Sequence, residues 1–206
     1  MSLKSELIYY SKLCYRNGFI AATDGNISVR TRKNFIMTTA TGVCKGRLTN
    51  KDLVKVDFKG KIIDGKKKPS GELKLHMYIY SQRKDINAIV HTHPKFTSAF
   101  AASGIALDKP VLPEIYLKFK KIHLARYSTP TTDEVPLSIS GYVKDFNAVL
   151  LANNGLVTYG KTLEEAYFLT EKAEQFAEIS FYARMLGGEK QLTKSQILKL
   201  DKLIQK

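Results

Sequence analysis

The chain is poor in cysteine and has no long apolar segment. Only two cysteines, Cys14 and Cys44, occur in 206 residues. They are too few for a disulfide framework, and no CxxC spacing is present. No apolar run approaches the roughly 20 residues that cross a lipid bilayer. The N-terminal residues mix charges with apolar side chains and lack the apolar core of a signal peptide. We therefore expect a cytoplasmic protein.

Acidic residues are also scarce, with 19 Asp and Glu against 33 Lys and Arg and a formal net charge of +14. Such a charge can indicate nucleic-acid binding. The sequence, however, has no zinc-finger spacing, no RNA-recognition signature and no basic helix with interleaved aromatic residues. Two interpretations remain: a solvated lysine-rich surface, or a basic field that attracts phosphorylated metabolites. We expect neither a nucleic-acid partner nor a membrane.

Length and periodicity predict one α/β domain. A hydrophobic fraction of 44% in 206 residues is typical of a globular protein. Apolar residues at helical spacing predict helices at 2–17, 70–83, 94–103 and 162–186, and Ser70 is a suitable N-cap. Short β-rich segments between turn residues predict strands at 26–31, 34–39, 52–58, 86–93 and 147–154. No linker or repeat divides the chain, so we predict a single domain over residues 1–206.

The segment NAIVHTHP, residues 87–94, ends an apolar strand with two histidines. Side chains two residues apart point to the same face of a strand, so His91 and His93 can share a cation. Their position at the carboxyl end of a strand is typical of ligand sites in α/β folds. Imidazole favours zinc or a similar divalent transition metal. Alone, the pair is also consistent with two hydrogen-bonded polar residues at a strand end.

Five motifs in order make the chain resemble the class II aldolase/adducin family from about residue 5 to 185. They are TDGNISVR (23–30), TTATGVCKGRLT (38–49), PSGE (69–72), NAIVHTHP (87–94) and LLANNGLVTYG (150–160). Within the family, the chain is most similar to the aldolases of the fuculose-phosphate type. The resemblance implies a single α/β domain in three layers, with a central, mostly antiparallel sheet covered by helices. It also implies a homotetramer.

The resemblance implies a zinc site with one altered ligand. In family enzymes the histidines that match His91 and His93 bind zinc together with a third histidine, whose place here falls on Asn154. An amide oxygen is neutral and harder than imidazole, so zinc should bind more weakly. Of the two remaining histidines, we expect His76 to make a structural hydrogen bond and His123 to lie within a strand.

The resemblance also implies that Glu72 is the catalytic acid and base. The chemistry requires a carboxyl group beside the cation, and we expect burial to raise its pKa towards neutrality. The alternative is that Glu72 only stabilises the N-terminus of a helix. Tyr116 matches an aromatic position that can lie near the substrate in family members.

A third group of residues matches positions where the family holds the substrate phosphate. Backbone N–H groups at glycine turns and at a helix N-terminus suit an anion, and Lys45 could add charge near that loop. Gly71 stands where the family often has a second serine. Simple turn residues are the other interpretation. The implied phosphate-binding residues are Asn26, Thr41, Gly42, Ser70 and Gly71.

Together these matches imply a metal-dependent aldolase. It would cleave a small phosphorylated ketose of the fuculose-1-phosphate type to dihydroxyacetone phosphate and an aldehyde, through a metal-stabilised enediolate. The expected partners are this sugar phosphate and further copies of the chain, and the expected cofactor is Zn2+ or another divalent transition metal. Two alternatives stay open: a non-catalytic or metal-weakened adducin-like member, and a sugar-phosphate dehydratase or epimerase of the same family.

Overall fold

A computed structural model describes residues 1–31 and 33–204. Its strands form one eight-stranded sheet in the order β4-β3-β2-β1-β5-β8-β7-β6. Neighbouring strands are antiparallel except for β6 and β7, which are parallel. The strands are β1 (Asn26–Arg30), β2 (Ile36–Thr39), β3 (Leu53–Val56), β4 (Ile62–Asp64), β5 (Ala88–Thr92), β6 (His123–Ala125), β7 (Ala148–Leu151) and β8 (Leu156–Gly160).

Helices surround this sheet, and two single turns of 3-10 helix, Lys45–Arg47 and Asn50–Asp52, lie between β2 and β3. Within the described ranges no helix is both long enough and apolar enough to span a lipid bilayer. The α-helices are α1 (Leu3–Arg16), α2 (Leu73–Gln82), α3 (Lys95–Ala102), α4 (Pro113–Phe119), α5 (Glu134–Ser138), α6 (Leu163–Met185) and α7 (Lys194–Ile204).

The sheet is covered by helices on both faces, because apolar side chains alternate along its strands. Ile89 of β5 packs with Ile79 of α2 in one core cluster. Its neighbour Val90 packs with Leu7 of α1 in a second cluster on the opposite face. Helices α3 and α6 complete that opposite face through a third cluster that includes Phe100 and Phe176. The predicted three-layer α/β fold with a mostly antiparallel sheet is confirmed.

All predicted strands and helices are present, but several begin later than expected. The helix predicted from residue 70 begins at Leu73, and its N-cap is Glu72. The three residues before Glu72 form a turn instead. Pro69 makes a β-bridge with Ala40, and the hydroxyl of Ser70 accepts the backbone N–H of Glu72 over 3.2 Å. The prediction of Ser70 as N-cap was therefore wrong by two residues, and this shift brings Glu72 to the start of α2.

Candidate active site

Strand register places two polar side chains on the face of the sheet that α2 covers. Asn26 of β1 pairs with His91 of β5. The two residues alternate with Ile27 and Val90, which pack in the core of the opposite face. Asn26 and His91 therefore project towards the N-terminus of α2, where Glu72 lies. Each is buried, and His91 is 0% exposed.

The carboxylate of Glu72 is held on both oxygens. Its Oε2 lies 2.7 Å from Nδ1 of His91 and accepts a hydrogen bond of 3.0 Å from Nδ2 of Asn26. Its Oε1 accepts a hydrogen bond of 2.9 Å from Nδ2 of Asn154. Three partners from three different strands or turns thus fix the orientation of the carboxylate. A side chain that merely stabilised the helix N-terminus electrostatically would not require them.

These contacts lower the pKa of Glu72, contrary to the sequence-based expectation of a raised value. Burial alone raises the pKa of this carboxyl, but the charge of His91 and the hydrogen bonds from His91, Asn154 and Asn26 outweigh burial. The pKa of His91 is raised in turn, because the Glu72 carboxylate outweighs the desolvation of the buried ring. The two pKa shifts have opposite directions, as expected for a carboxylate and an imidazole that each stabilise the charged form of the other.

The turn between β7 and β8 carries Asn154 against the end of β5. The carbonyl oxygen of Asn154 lies 2.9 Å from Nε2 of His91, and its side-chain Oδ1 lies 3.4 Å from Nε2 of His93. The close approach requires Gly155, which has φ +77°. A Cβ at Gly155 would collide with the carbonyl oxygen of Thr92 and with the ring of His93. The ring centroids of His91 and His93 are 5.1 Å apart, so the two imidazoles lie side by side as predicted.

An open cavity of about 240 Å³ brings the predicted phosphate-binding residues next to this cluster. Its volume is near the lower limit of roughly 300 Å³ for small-molecule pockets, which suits a small metabolite. The described residues that line it are Thr23, Asp24, Gly25, Asn26, Ala40, Thr41, Gly42, Lys45, Ser70, Gly71, Glu72, His93, Pro130, Thr131 and Asn154. All five predicted phosphate positions are in this set.

Only some of the backbone N–H groups that were predicted to bind an anion are available in the cavity. The N–H of Thr41 donates to the carbonyl oxygen of Lys68 over 3.0 Å, so it is already used. The N–H groups of Gly42 and Gly71 have no acceptor among the described residues. Gly42 has φ +68°, a conformation that glycine adopts without strain. The donors that the cavity leaves available are the N–H groups of these two glycines and the hydroxyls of Thr41 and Ser70.

Residues 5–181 match the family described as the class II aldolase and adducin N-terminal domain. The chain belongs to this family. An L-fuculose phosphate aldolase of Methanococcus maripaludis is 36% identical over 183 residues, which cover 89% of this chain and 98% of the relative. A 3-oxo-tetronate 4-phosphate decarboxylase of Haemophilus influenzae is 29% identical over 208 residues, with 98% and 97% covered. A solved structure of an L-fuculose 1-phosphate aldolase superposes with a TM-score of 0.91 at 27% identity, covering 99% of this chain and 96% of the other.

Class II aldolases depend on a metal. A cation requires several donor atoms at the spacing of a coordination sphere. Within residues 1–31 and 33–204, no three His, Cys, Asp or Glu side chains form a group that could hold a metal ion. Asn154 adds a fourth donor to Glu72, His91 and His93. The ligand atoms of a tetrahedral zinc site lie roughly 3.4 Å apart. The distance between Nε2 of His93 and Oδ1 of Asn154 is 3.4 Å. This one distance fits a divalent cation, and the donors that the described residues offer to it are His91, His93 and Oδ1 of Asn154.

The remaining histidines and Tyr116 lie away from the cavity of this class II aldolase homologue. His76 is buried, and its Nδ1 lies 2.7 Å from the hydroxyl of Ser28, as the predicted structural hydrogen bond requires. His123 lies in β6 at the edge of the sheet and stacks on Tyr142, with ring centroids 4.5 Å apart. The hydroxyl of Tyr116 donates to Asp201 of α7 over 2.9 Å.

Thr131 is a cavity residue that the sequence-based prediction did not include. It lies in the loop between β6 and α5, and it is exposed with φ +69°. A Cβ built at Gly71 would lie 2.7 Å from Cγ2 of Thr131. Thr131 therefore occupies the space that a serine side chain at position 71 would need. This contact joins two segments that are distant in the chain, so no sequence motif indicates it.

Proposed function

We propose that this chain is a class II aldolase that cleaves a small phosphorylated ketose to dihydroxyacetone phosphate and an aldehyde, and catalyses the reverse addition. One observation carries the proposal. The cavity that contains Glu72, His93 and Asn154 also contains the glycine turns at Gly42 and Gly71. A short sugar phosphate can therefore place its phosphate at the turns while its carbonyl carbon reaches the carboxylate.

The cation would be held by the neutral imidazoles of His91 and His93 and by Oδ1 of Asn154, with the Glu72 carboxylate beside it. When bound, a divalent metal supplies Lewis-acid polarisation of the ketose carbonyl and its neighbouring hydroxyl. The side chains that remain around it orient the reacting groups. Asn26 and Asn154 each donate to the Glu72 carboxylate, so that its oxygens stay fixed while the substrate enters.

Glu72 is the residue that moves the proton at carbon. In the addition direction, its carboxylate removes a proton from the hydroxymethyl carbon of dihydroxyacetone phosphate, and the electron pair moves onto the carbonyl to give an enediolate. The new carbon–carbon bond then forms at the aldehyde carbon, and the proton held by Glu72 passes to the aldehyde oxygen, directly or through solvent. In the cleavage direction, the hydroxyl beside the breaking bond gives its proton to the Glu72 carboxylate by the same route, the carbon–carbon bond breaks, and Glu72 returns the proton to the carbon of the enediolate. The lowered pKa keeps Glu72 in its base form at neutral pH.

A second candidate is decarboxylation of a phosphorylated 3-oxo acid. It is supported by the relative from Haemophilus influenzae, a 3-oxo-tetronate 4-phosphate decarboxylase that aligns with nearly the whole chain. Loss of carbon dioxide leaves the same kind of enediolate, which the same carboxyl group can protonate. The two reactions differ in the second product, which is an aldehyde for the aldolase and carbon dioxide for the decarboxylase.

The test is a pair of Glu→Gln variants assayed on both substrate classes with zinc supplied. Glu72→Gln should lower the turnover of the phosphorylated ketose by about 10²- to 10⁴-fold, because the amide cannot accept the proton. Glu164→Gln, an exposed residue of α6, makes the same chemical change outside the cavity and should be active. Activity of Glu72→Gln within threefold of the unsubstituted protein would refute the proton role. Carbon dioxide release without aldehyde formation would favour the decarboxylase.

We also propose that residues 1–206 form one domain that assembles as a homotetramer in the cytoplasm. Exposed apolar side chains at the end of α6 support assembly, since Phe181 is 40% exposed, Tyr182 50% and Met185 70%. Contiguous apolar surface of this kind is typical of contacts between proteins. Light scattering on the protein as it elutes from a size-exclusion column should give four times the chain mass. A monomer mass would refute the assembly.

A further inference from the structure

Lys45 is a buried lysine without an ion-pair partner among the described residues. It begins the single turn of 3-10 helix after β2, and it is 1% exposed. Its Nζ donates to the carbonyl oxygen of Thr23 over 2.7 Å. An ammonium group has three N–H donors, and Nζ has no other acceptor among the described residues. No carboxylate of the described chain lies within ion-pair distance of it.

The burial of this ammonium carries a free-energy cost, which its one hydrogen bond and the charge of Asp24 offset only in part, since the pKa stays lowered. Burial lowers the pKa of Lys45 to about 8, although the nearby charge of Asp24 acts in the opposite direction. A buried lysine that only filled space could be replaced by an apolar residue of the same length. A functional explanation must therefore supply an anion.

The cavity places Lys45 where an anion would lie. Among the described residues that line the cavity, Lys45 is the sole lysine or arginine, and Gly42 precedes it by three positions. The position of the turn is fixed, because Gly46 packs so closely on the ring of Tyr15 in α1 that a Cβ there would collide with it.

We infer that the Lys45 ammonium binds the phosphate group of the substrate beside Thr41 and Gly42, and so makes the enzyme select phosphorylated over free ketoses. The inference rests on the proposed function, because it identifies what anchors the end of the substrate that does not react. The hydroxyls and glycine N–H groups orient the phosphate oxygens, and Lys45 supplies the positive charge that a dianion requires in a partly enclosed site.

The first measurement is binding of inorganic phosphate to the purified full-length chain by calorimetry, with Lys45→Met and Lys59→Met compared. Methionine keeps the length of the buried side chain and removes the charge. Lys59 is exposed, so its replacement makes the same change in net charge outside the cavity. Lys45→Met should weaken phosphate binding by about 10- to 100-fold, as expected for a charge-assisted hydrogen bond. Lys59→Met should bind phosphate as the unsubstituted chain does.

The second measurement is kinetic. Lys45→Met should raise KM for the phosphorylated ketose by a similar factor with little change in kcat, while its small activity on the unphosphorylated ketose should not change. Equal phosphate binding by Lys45→Met and Lys59→Met, with both folded by circular dichroism, would overturn the inference. Phosphate binding lost in Lys45→Met by a chain that turns over no sugar phosphate would leave Lys45 as the anion ligand and refute only the proposed aldolase.

Discussion

Asn154 donates a hydrogen bond of 2.9 Å from its side-chain Nδ2 to Oε1 of Glu72. The residue that the sequence analysis predicted as the altered metal ligand is therefore hydrogen-bonded directly to the candidate catalytic carboxylate. The same amide directs its Oδ1 towards Nε2 of His93, 3.4 Å away. Asn154 thus connects the proton-transferring group with a candidate metal ligand, and its replacement should affect both.

Restoring a histidine at this position should tighten metal binding. Asn154→His replaces a neutral oxygen donor with an imidazole at the edge of the donor set, and we expect zinc affinity to rise at least about tenfold. A competition assay with a fluorescent chelator measures this change without reference to activity. The control is Asn153→His, because Asn153 is exposed beside it and has φ +59°, which histidine tolerates. Equal zinc affinities for the two variants would mean that position 154 does not contribute a ligand.

The close contact at Gly155 should make it far more sensitive than an ordinary left-handed glycine. Gly155→Ala places a methyl group against the carbonyl oxygen of Thr92 and the ring of His93. We expect a loss of about 3 kcal/mol in the free energy of unfolding, measured in urea. Gly104→Ala is the matched control, because Gly104 has φ +70° but no atom within 4 Å of the added methyl group. It should cost about 1 kcal/mol from backbone strain alone, and equal losses would contradict the contact.

Gly71 and Thr131 should behave as a coupled pair. Gly71→Ser creates a contact of 2.7 Å with Cγ2 of Thr131, which must move and disturb the cavity. Thr131→Ala removes that methyl group, so the double variant should recover affinity for inorganic phosphate that Gly71→Ser loses. A double-mutant cycle on phosphate binding should give a coupling free energy of about 1 kcal/mol. Additive effects of the two substitutions would show that the side chains do not compete for the same space.

Anion binding should depend on pH through Lys45. Its pKa lies near 8 because burial disfavours the charged form. The positive form is therefore present below pH 8 and is lost as the pH rises above it. Sulfate keeps its charge over this range, so its affinity should be constant between about pH 6 and 7.5 and should then fall by up to about tenfold per pH unit. Lys45→Met should bind sulfate weakly at every pH, and a parallel decline in that variant would assign the titration to another group.

Much of the fold could be predicted because its signals are local. The strand Ala88–Thr92 and the helix Leu163–Met185 follow from periodicity and from nearby turn residues. The beginning of α2 could not, since a β-bridge between Pro69 and Ala40 across the chain fixes the turn before it. The residues of the candidate site could be predicted because each lies in a motif for which the family resemblance implies a role.

The electrostatics of the site could not be predicted in the same way. Burial of Glu72 suggested a raised pKa, but the decisive partners are His91 and Asn154, which lie 19 and 82 positions further along the chain. Likewise, no motif indicates that Thr131 fills the space beside Gly71. The sign of a pKa shift and the fit of two side chains both depend on how close two segments lie in the folded chain. The periodicity of the sequence does not give that distance.

The two ends of the cavity are carried by separate parts of the sheet. Gly42 and Lys45 follow β2 on one side of β1, whereas Asn154 lies on the turn between β7 and β8 beyond β5. Substitutions in the β7–β8 turn should therefore leave the backbone at Gly42 and Lys45 in place. The two relatives, an L-fuculose phosphate aldolase and a 3-oxo-tetronate 4-phosphate decarboxylase, are named for different reactions. Each name includes a phosphorylated compound. Exchange of the β7–β8 turn between such homologues should therefore change the reaction while the segment with Gly42 and Lys45 still binds the phosphate.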